Sequence, residues 1–353
     1  MRRLLLLMVA LAAVSTSRIP RSMAQDVNVA AVPEPSEYET TNLVFSNDGR
    51  TLREVIQFLG PATDKYWHVR AISYDAATGR IRHVLSLRHN TSFLSATADG
   101  RIAVITADRG EPGKRSHCFL LDTNSGRAKD IPSKWFETDV YDPYAQISGD
   151  GRLVSSYSEV TDIGMVVTVY EWRTRKVVGK QARRFDAGGI LWGGVTEDGK
   201  IAFSNNRVGS EIVDPKTGGL IAQIGPDSVR SSDGAWIAEF PNQLDDNAPK
   251  YVPIENGMDG KVVGKLDLQM TDDEQSKPWR GAFCGTSGRF VAANPAAVLA
   301  YETPSGKQIA RFPIATWQDS NANGSYLTVV ACSSNGKRVA IRSGTRLTLH
   351  DLK

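Results

Sequence analysis

Cysteine is scarce in this sequence, with Cys118, Cys284 and Cys332 the only three among 353 residues. So few exclude a fold framed by disulfides. Membrane-length apolar runs are missing too. The run Leu4–Val14 would span about 16 Å as a helix, well short of a bilayer core, and no later run reaches that length. Histidine is sparse and scattered: His68, His83, His89, His117 and His350 form no H-x-x-x-H or H-E-x-x-H pair for zinc. There is no Cys-x-x-Cys-His for covalent haem and no Gly-x-Ser-x-Gly nucleophile elbow. No catalytic residue, metal site or cofactor is therefore expected. Asp272–Glu274 also lacks the alternating oxygen ligands and glycine of a calcium loop. Charge of one sign is lacking as well. The formal net charge is +3, but residues 1–24 carry four arginines and no acid, and without them 38 basic residues face 39 acidic ones. A dedicated nucleic-acid binder would be far more basic.

Residues 1–24 read as a targeting segment. Arg2 and Arg3 precede the apolar block, and Ser22-Met23-Ala24 offers small residues for cleavage before Gln25. The block has the length of a signal-peptide core, so export to a secreted or periplasmic location is expected. The rival reading is a mitochondrial-type transit peptide, which four arginines, several serines and no acid also fit. With no later membrane-length run, the mature chain is expected to have no transmembrane segment.

What the sequence has is repetition. Fragments ending in Asp48-Gly49, Asp99-Gly100, Asp150-Gly151 and Asp198-Gly199 each follow an apolar residue, and weaker copies end at Gly234, Gly288 and Gly336. The glycines lie 51, 51, 48, 35, 54 and 48 residues apart, close to the period of propeller blades. Asp-Gly between β-rich runs marks a tight hairpin, because glycine enters the required positive φ without a steric penalty. A second turn alternates with the first: Asp75–Gly79, Asp122–Gly126, Asp214–Gly218 and Glu302–Gly306. Each period thus reads as strand, tight turn, strand, loop, strand, tight turn, strand. Thr51–Leu59 has some helical character locally, but its place in the repeat makes it a strand. The expected fold is all-β: residues 25–353 form a single seven-bladed β-propeller of four-stranded blades. Two stacked β-sandwiches would not explain two phased turn motifs.

These turns and their order resemble WD40-type propeller repeats and the related repeats of the periplasmic Tol-system propeller, over about residues 26–353. The Gly-His and Trp-Asp pairs of WD40 units are absent, so the resemblance holds at superfamily level. The last unit lacks a fourth strand, while Val27–Val32 is unassigned at the other end. Unpaired strand edges invite aggregation. The N-terminal segment is therefore expected to supply the outer strand of the final blade.

The turns fall on one face and the longer connections on the other. Variable loops on a rigid scaffold carry function. On that loop face Trp135, Trp279 and Trp317 are candidate binding residues, with packing between blades as the alternative for each, and Trp192 reads as a packing residue. Arg109, Lys114 and Arg115 form a basic loop there, opposed by acidic Asp245–Asp246 and Asp272–Glu274. Cys284 and Cys332 each lie four residues before a turn glycine, an equivalence that reads as buried free thiols. Cys118 has no evident partner. Arg230 replaces an apolar residue and reads as a one-residue slip with Val229 in its place, or as a channel-facing anion site. The expected function is an exported, non-enzymatic module binding a protein or cell-envelope partner through the loop face. The alternative is a propeller enzyme, lactonase-like or otherwise hydrolytic, with metal or carboxylates at the channel.

Overall fold

The computed structural model describes residues 25–27, 38–59, 66–87, 90–107, 116–136, 144–160, 164–184, 192–205, 209–225, 228–240, 251–257, 259–268, 280–293, 297–314, 328–343 and 346–352. Among them, seven antiparallel four-stranded sheets are arranged as the blades of a propeller. Blades 1 to 7 span residues 38–86, 91–130, 145–183, 192–224, 228–267, 280–313 and 329–351. Thr51–Leu59 is the second strand of blade 1, as its place in the repeat requires. One short 3-10 turn, Ser133–Trp135, lies between blades 2 and 3.

The turn motif is explained by its own hydrogen bonds. In the first inner turn the Ser46 hydroxyl donates to Asp48 Oδ1 at 2.6 Å and accepts from the Thr51 N–H at 3.0 Å. Asp48 Oδ1 also accepts from the Arg50 N–H, and Gly49, at φ +67°, closes the turn onto the Ser46 carbonyl. Thr97 with Asp99, Ser148 with Asp150, Ser231 with Asp233 and Ser333 with Asn335 repeat this arrangement. Short polar side chains that satisfy local backbone donors favour such turns over any longer element. The outer turns use one carboxylate for two N–H groups: Asp214 Oδ1 accepts from Thr217 and Lys216, each at 2.9 Å. Those N–H bonds hold the Asp214 carboxyl below its ordinary range.

The final blade contributes three strands from residues 329–351 and takes its fourth from the N-terminal end. Gln25–Val27 pairs antiparallel with Arg346–Asp351, placing Asp26 opposite Thr348. The expected closure is present, though its described strand begins two residues before the Val27–Val32 span read from sequence; residues 28–37 lie outside the described residues. Because the added strand covers an otherwise open edge, removing Asp26–Pro35 should lower the melting temperature by about 5 °C or more. An unchanged transition by circular dichroism would sink this closure model.

Two expectations about the inner turns need correction. Arg230 is not displaced by a slip: it pairs with Ile237 as Phe45 pairs with Leu52. The slip lies in blade 6. There Phe283 pairs with Phe290, and the Cys284 N–H donates to Arg289 as the Ser46 N–H does to Thr51. Cys284 therefore occupies the turn-opening position, one residue beyond the position of Cys332. That offset brings the two cysteines together across adjacent blades, with Cα atoms 4.8 Å apart, and they form a disulfide rather than free thiols. Cys118 is the remaining thiol and is buried.

Candidate functional site

Blade-to-blade packing in a propeller comes from alternation along each strand, which sends successive side chains toward the two neighbouring blades. Six apolar clusters fill six of the seven seams. Val195, Ile201, Phe203 and Val213 of blade 4, for example, meet Met165, Val167 and Val169 of blade 3. Ala238, Val252 and Ile254 of blade 5 face blade 6. Among the described residues, no buried apolar cluster joins blade 4 to blade 5.

That seam holds an open cleft of about 500 Å³ instead, lined by polar and apolar side chains together. On the blade 4 side, Trp192 pairs with Ser204, Ser204 with Ser210 and Ser210 with Ile224, so the four share one face. Ala202 and Ile212 floor it, and Ser228, Arg230 and Ser231 form the blade 5 wall. The Ser204 and Ser210 hydroxyls are hydrogen-bonded to each other. At the turn end, Arg230 Nη1 donates to both oxygens of Asp198 at 2.9 Å, with both side chains nearly buried. The pair neutralises itself and ties the two blades together. Gly234 makes room for it: a Cβ there would lie 2.5 Å from Arg230 Nη2, and the residue sits at φ +72°. Arg230 Nε and Ser228 Oγ are buried with no hydrogen-bond partner in the structure.

Trp192 also borders a central channel cavity of about 310 Å³, lined by Asn42, Ser95, Gln146 and Val195 among others. It is 37% exposed, which corrects its reading as a packing residue. Glu197 lies at the same junction of channel and cleft. The protein packed around it, and then the neighbouring charge of Asp198, push its carboxyl above the ordinary range. A third concavity, of about 610 Å³, opens on the turn face between blades 2 and 3 beside Arg101, Arg127, Lys129 and Trp172. Its Asp122 carboxylate is committed to the N–H groups of Asn124 and Ser125 and to Arg101.

Of the loop-face binding residues read from sequence, Trp135 alone lies among the described residues. Trp135 is 6% exposed, stacked on Tyr170 with ring centroids 3.9 Å apart and edge-on to Trp172. Its carbonyl accepts from the Ser156 hydroxyl. The ring belongs to the seam between blades 2 and 3 and is shielded from any partner. Arg109, Lys114, Arg115, Trp279 and Trp317 lie outside the described residues, as do residues 1–24. No group of three His, Cys, Asp or Glu side chains suited to a metal occurs among the described residues. The cleft itself had one sequence signal, the 35-residue spacing of Gly199 and Gly234, the shortest in the chain.

No family model matches the chain, and no curated protein sequence matches it. Solved structures share its fold. The β-propeller domain of the Trilobed protease from Pyrococcus furiosus, described as having an open velcro topology, aligns with a TM-score of 0.52 at 11% identity, over 90% of this chain and 93% of that one. Hydrazine synthase of Kuenenia stuttgartiensis aligns with a TM-score of 0.52 at 13% identity, over 92% of this chain and 99% of that one. At such identities the likeness defines a fold class. The chain is a divergent seven-bladed β-propeller with distant structural homologues.

Proposed function

We propose that this chain is an exported, non-enzymatic propeller that binds a protein or cell-envelope partner through the face carrying its longer connections. The disposition of its connections carries this reading. The tight turns opened by Ser46, Thr97, Ser148 and Asp214 satisfy their own polar groups on one face, whereas residues 60–65, 108–115 and 241–250 join second to third strands at the opposite ends. A disulfide between blades 6 and 7 supports an oxidising compartment. In addition, no helix among the described residues is long and apolar enough to cross a membrane.

The test is affinity capture from the native exported fraction with tagged mature chain. Wild type should retain a protein partner reproducibly, and a variant carrying Trp279→Ala, Trp317→Ala and Arg109→Ala should lose it while melting normally. Undiminished capture by that variant would count against the loop face. Trp135→Ala should behave differently, losing about 3–5 kcal/mol of stability in a denaturant titration, because it empties a packed seam.

A second reading, a propeller hydrolase, is favoured by Glu197. A carboxyl raised by burial and a like charge at a cavity mouth suits a general acid. Turnover of a lactone or ester probe by purified chain, abolished in Glu197→Gln, would establish it in place of the binding reading.

A further inference from the structure

The cleft between blades 4 and 5 calls for its own account, independent of the loop face. A propeller seam is normally closed by side-chain packing, and six seams here are. This one leaves about 500 Å³ open, within the roughly 300–1,000 Å³ range of small-molecule sites. We propose that it is a binding site for a neutral oligosaccharide.

Three features select that chemistry. Trp192 presents an exposed indole at the end where the cleft meets the channel. A large flat ring of this kind suits the apolar C–H face of a sugar and buries much area at little entropic cost. Beyond it lie hydroxyls on both walls, Ser204 and Ser210 opposite Ser228. Ser228 Oγ and Arg230 Nε, on residues that line the cleft, are buried with no hydrogen-bond partner, an unmet polarity that a hydroxyl-bearing ligand would relieve if the wall shifts to admit it.

The third feature is charge. Among the described residues lining the cleft, Arg230 is the one cationic group, and Asp198 already neutralises it through both carboxylate oxygens. Glu197 borders the turn end. At Gly225 an added Cβ would lie 2.2 Å from Glu239 Oε1, so a second carboxylate stands just beyond the lining. Among the described residues an anionic ligand meets two carboxylates and a cation already paired with Asp198, which disfavours it. An uncharged polyol meets donors, acceptors and an aromatic face.

The experiment is isothermal titration of the full mature chain with soluble neutral trisaccharides (maltotriose, cellotriose and tri-N-acetylchitotriose), alongside trilysine and trigalacturonate. At least one neutral trisaccharide should bind saturably, and the charged probes should not. Trp192→Ala should weaken that binding by about tenfold or more without lowering the melting temperature, because the ring is a hot spot rather than core. Ser228→Leu, which fills the cleft from the opposite wall, should weaken it as much, and Val177→Ser on an exposed outer strand should change nothing. The proposal is overturned if no neutral trisaccharide binds, if trilysine or trigalacturonate binds more tightly, or if both cleft variants bind like wild type. Partner capture through the loop face is read in a separate assay, so either result stands without the other.

Discussion

Replacing Arg342 by Met should cost about 3–5 kcal/mol of folding stability, because it breaks a buried ion pair. Arg342, on the second strand of blade 7, forms an ion pair with Glu54 of blade 1, Nε to Oε1 at 2.9 Å, and the two side chains are 3% and 0% exposed. The Tyr74 hydroxyl donates to the other carboxylate oxygen at 2.6 Å. All three lie in the seam where the ring closes, among Leu52, Ile72, Leu347 and Leu349. Attraction in this low-dielectric setting roughly offsets the desolvation of both ions only while both are present. Removing the guanidinium takes away the cation that offsets the desolvation of a fully buried carboxylate. The double variant Glu54→Leu with Arg342→Met should recover most of the loss, because an apolar pair of similar volume has no desolvation penalty. Urea titration of the three proteins measures this. A single-variant loss under about 1 kcal/mol would mean that the pair is not buried as described.

The inter-blade disulfide sets the second large effect. Cys284 and Cys332 enclose a span of 48 residues. Cross-linking a loop of that length removes denatured-state entropy worth about 4 kcal/mol at room temperature. Cys284→Ser with Cys332→Ser, or reduction of the wild type, should therefore lower stability by about 2–5 kcal/mol. Thiol titration under denaturing, non-reducing conditions should find one reactive group per mature chain, Cys118. Three reactive thiols together with an unaltered melting temperature would restore the free-cysteine reading.

Much of the fold was legible because its information is local. Ser46 to Gly49 and its copies form a turn through their own side chains and one positive φ, so the motif signals a hairpin wherever it stands. Strand alternation between such turns then fixes which residues face a neighbour. Repetition fixes the number of blades, and a missing fourth strand at one end with a spare one at the other implies closure by Gln25–Val27. The site was less legible because it depends on what stands opposite. Trp135 and Trp192 look alike in sequence, each in or beside a blade-to-blade connection, yet Tyr170 and Trp172 cover the first, while among the described residues no aromatic ring stacks on the second, which is 37% exposed. Arg230 looks like an alignment error until Asp198 of the preceding blade is placed against it.

By itself, then, the sequence determined the all-β class, the seven units, the two phased turns and the ring closed by its own N-terminal strand, since each follows from turn chemistry and period-2 patterning within a short stretch of chain. Only the tertiary structure decided that Cys284 meets Cys332, that Trp135 is core, and that the seam between blades 4 and 5 stays open. Those outcomes turn on the juxtaposition of adjacent blades, where a one-residue offset moves a side chain from one seam to another and no local signal records it.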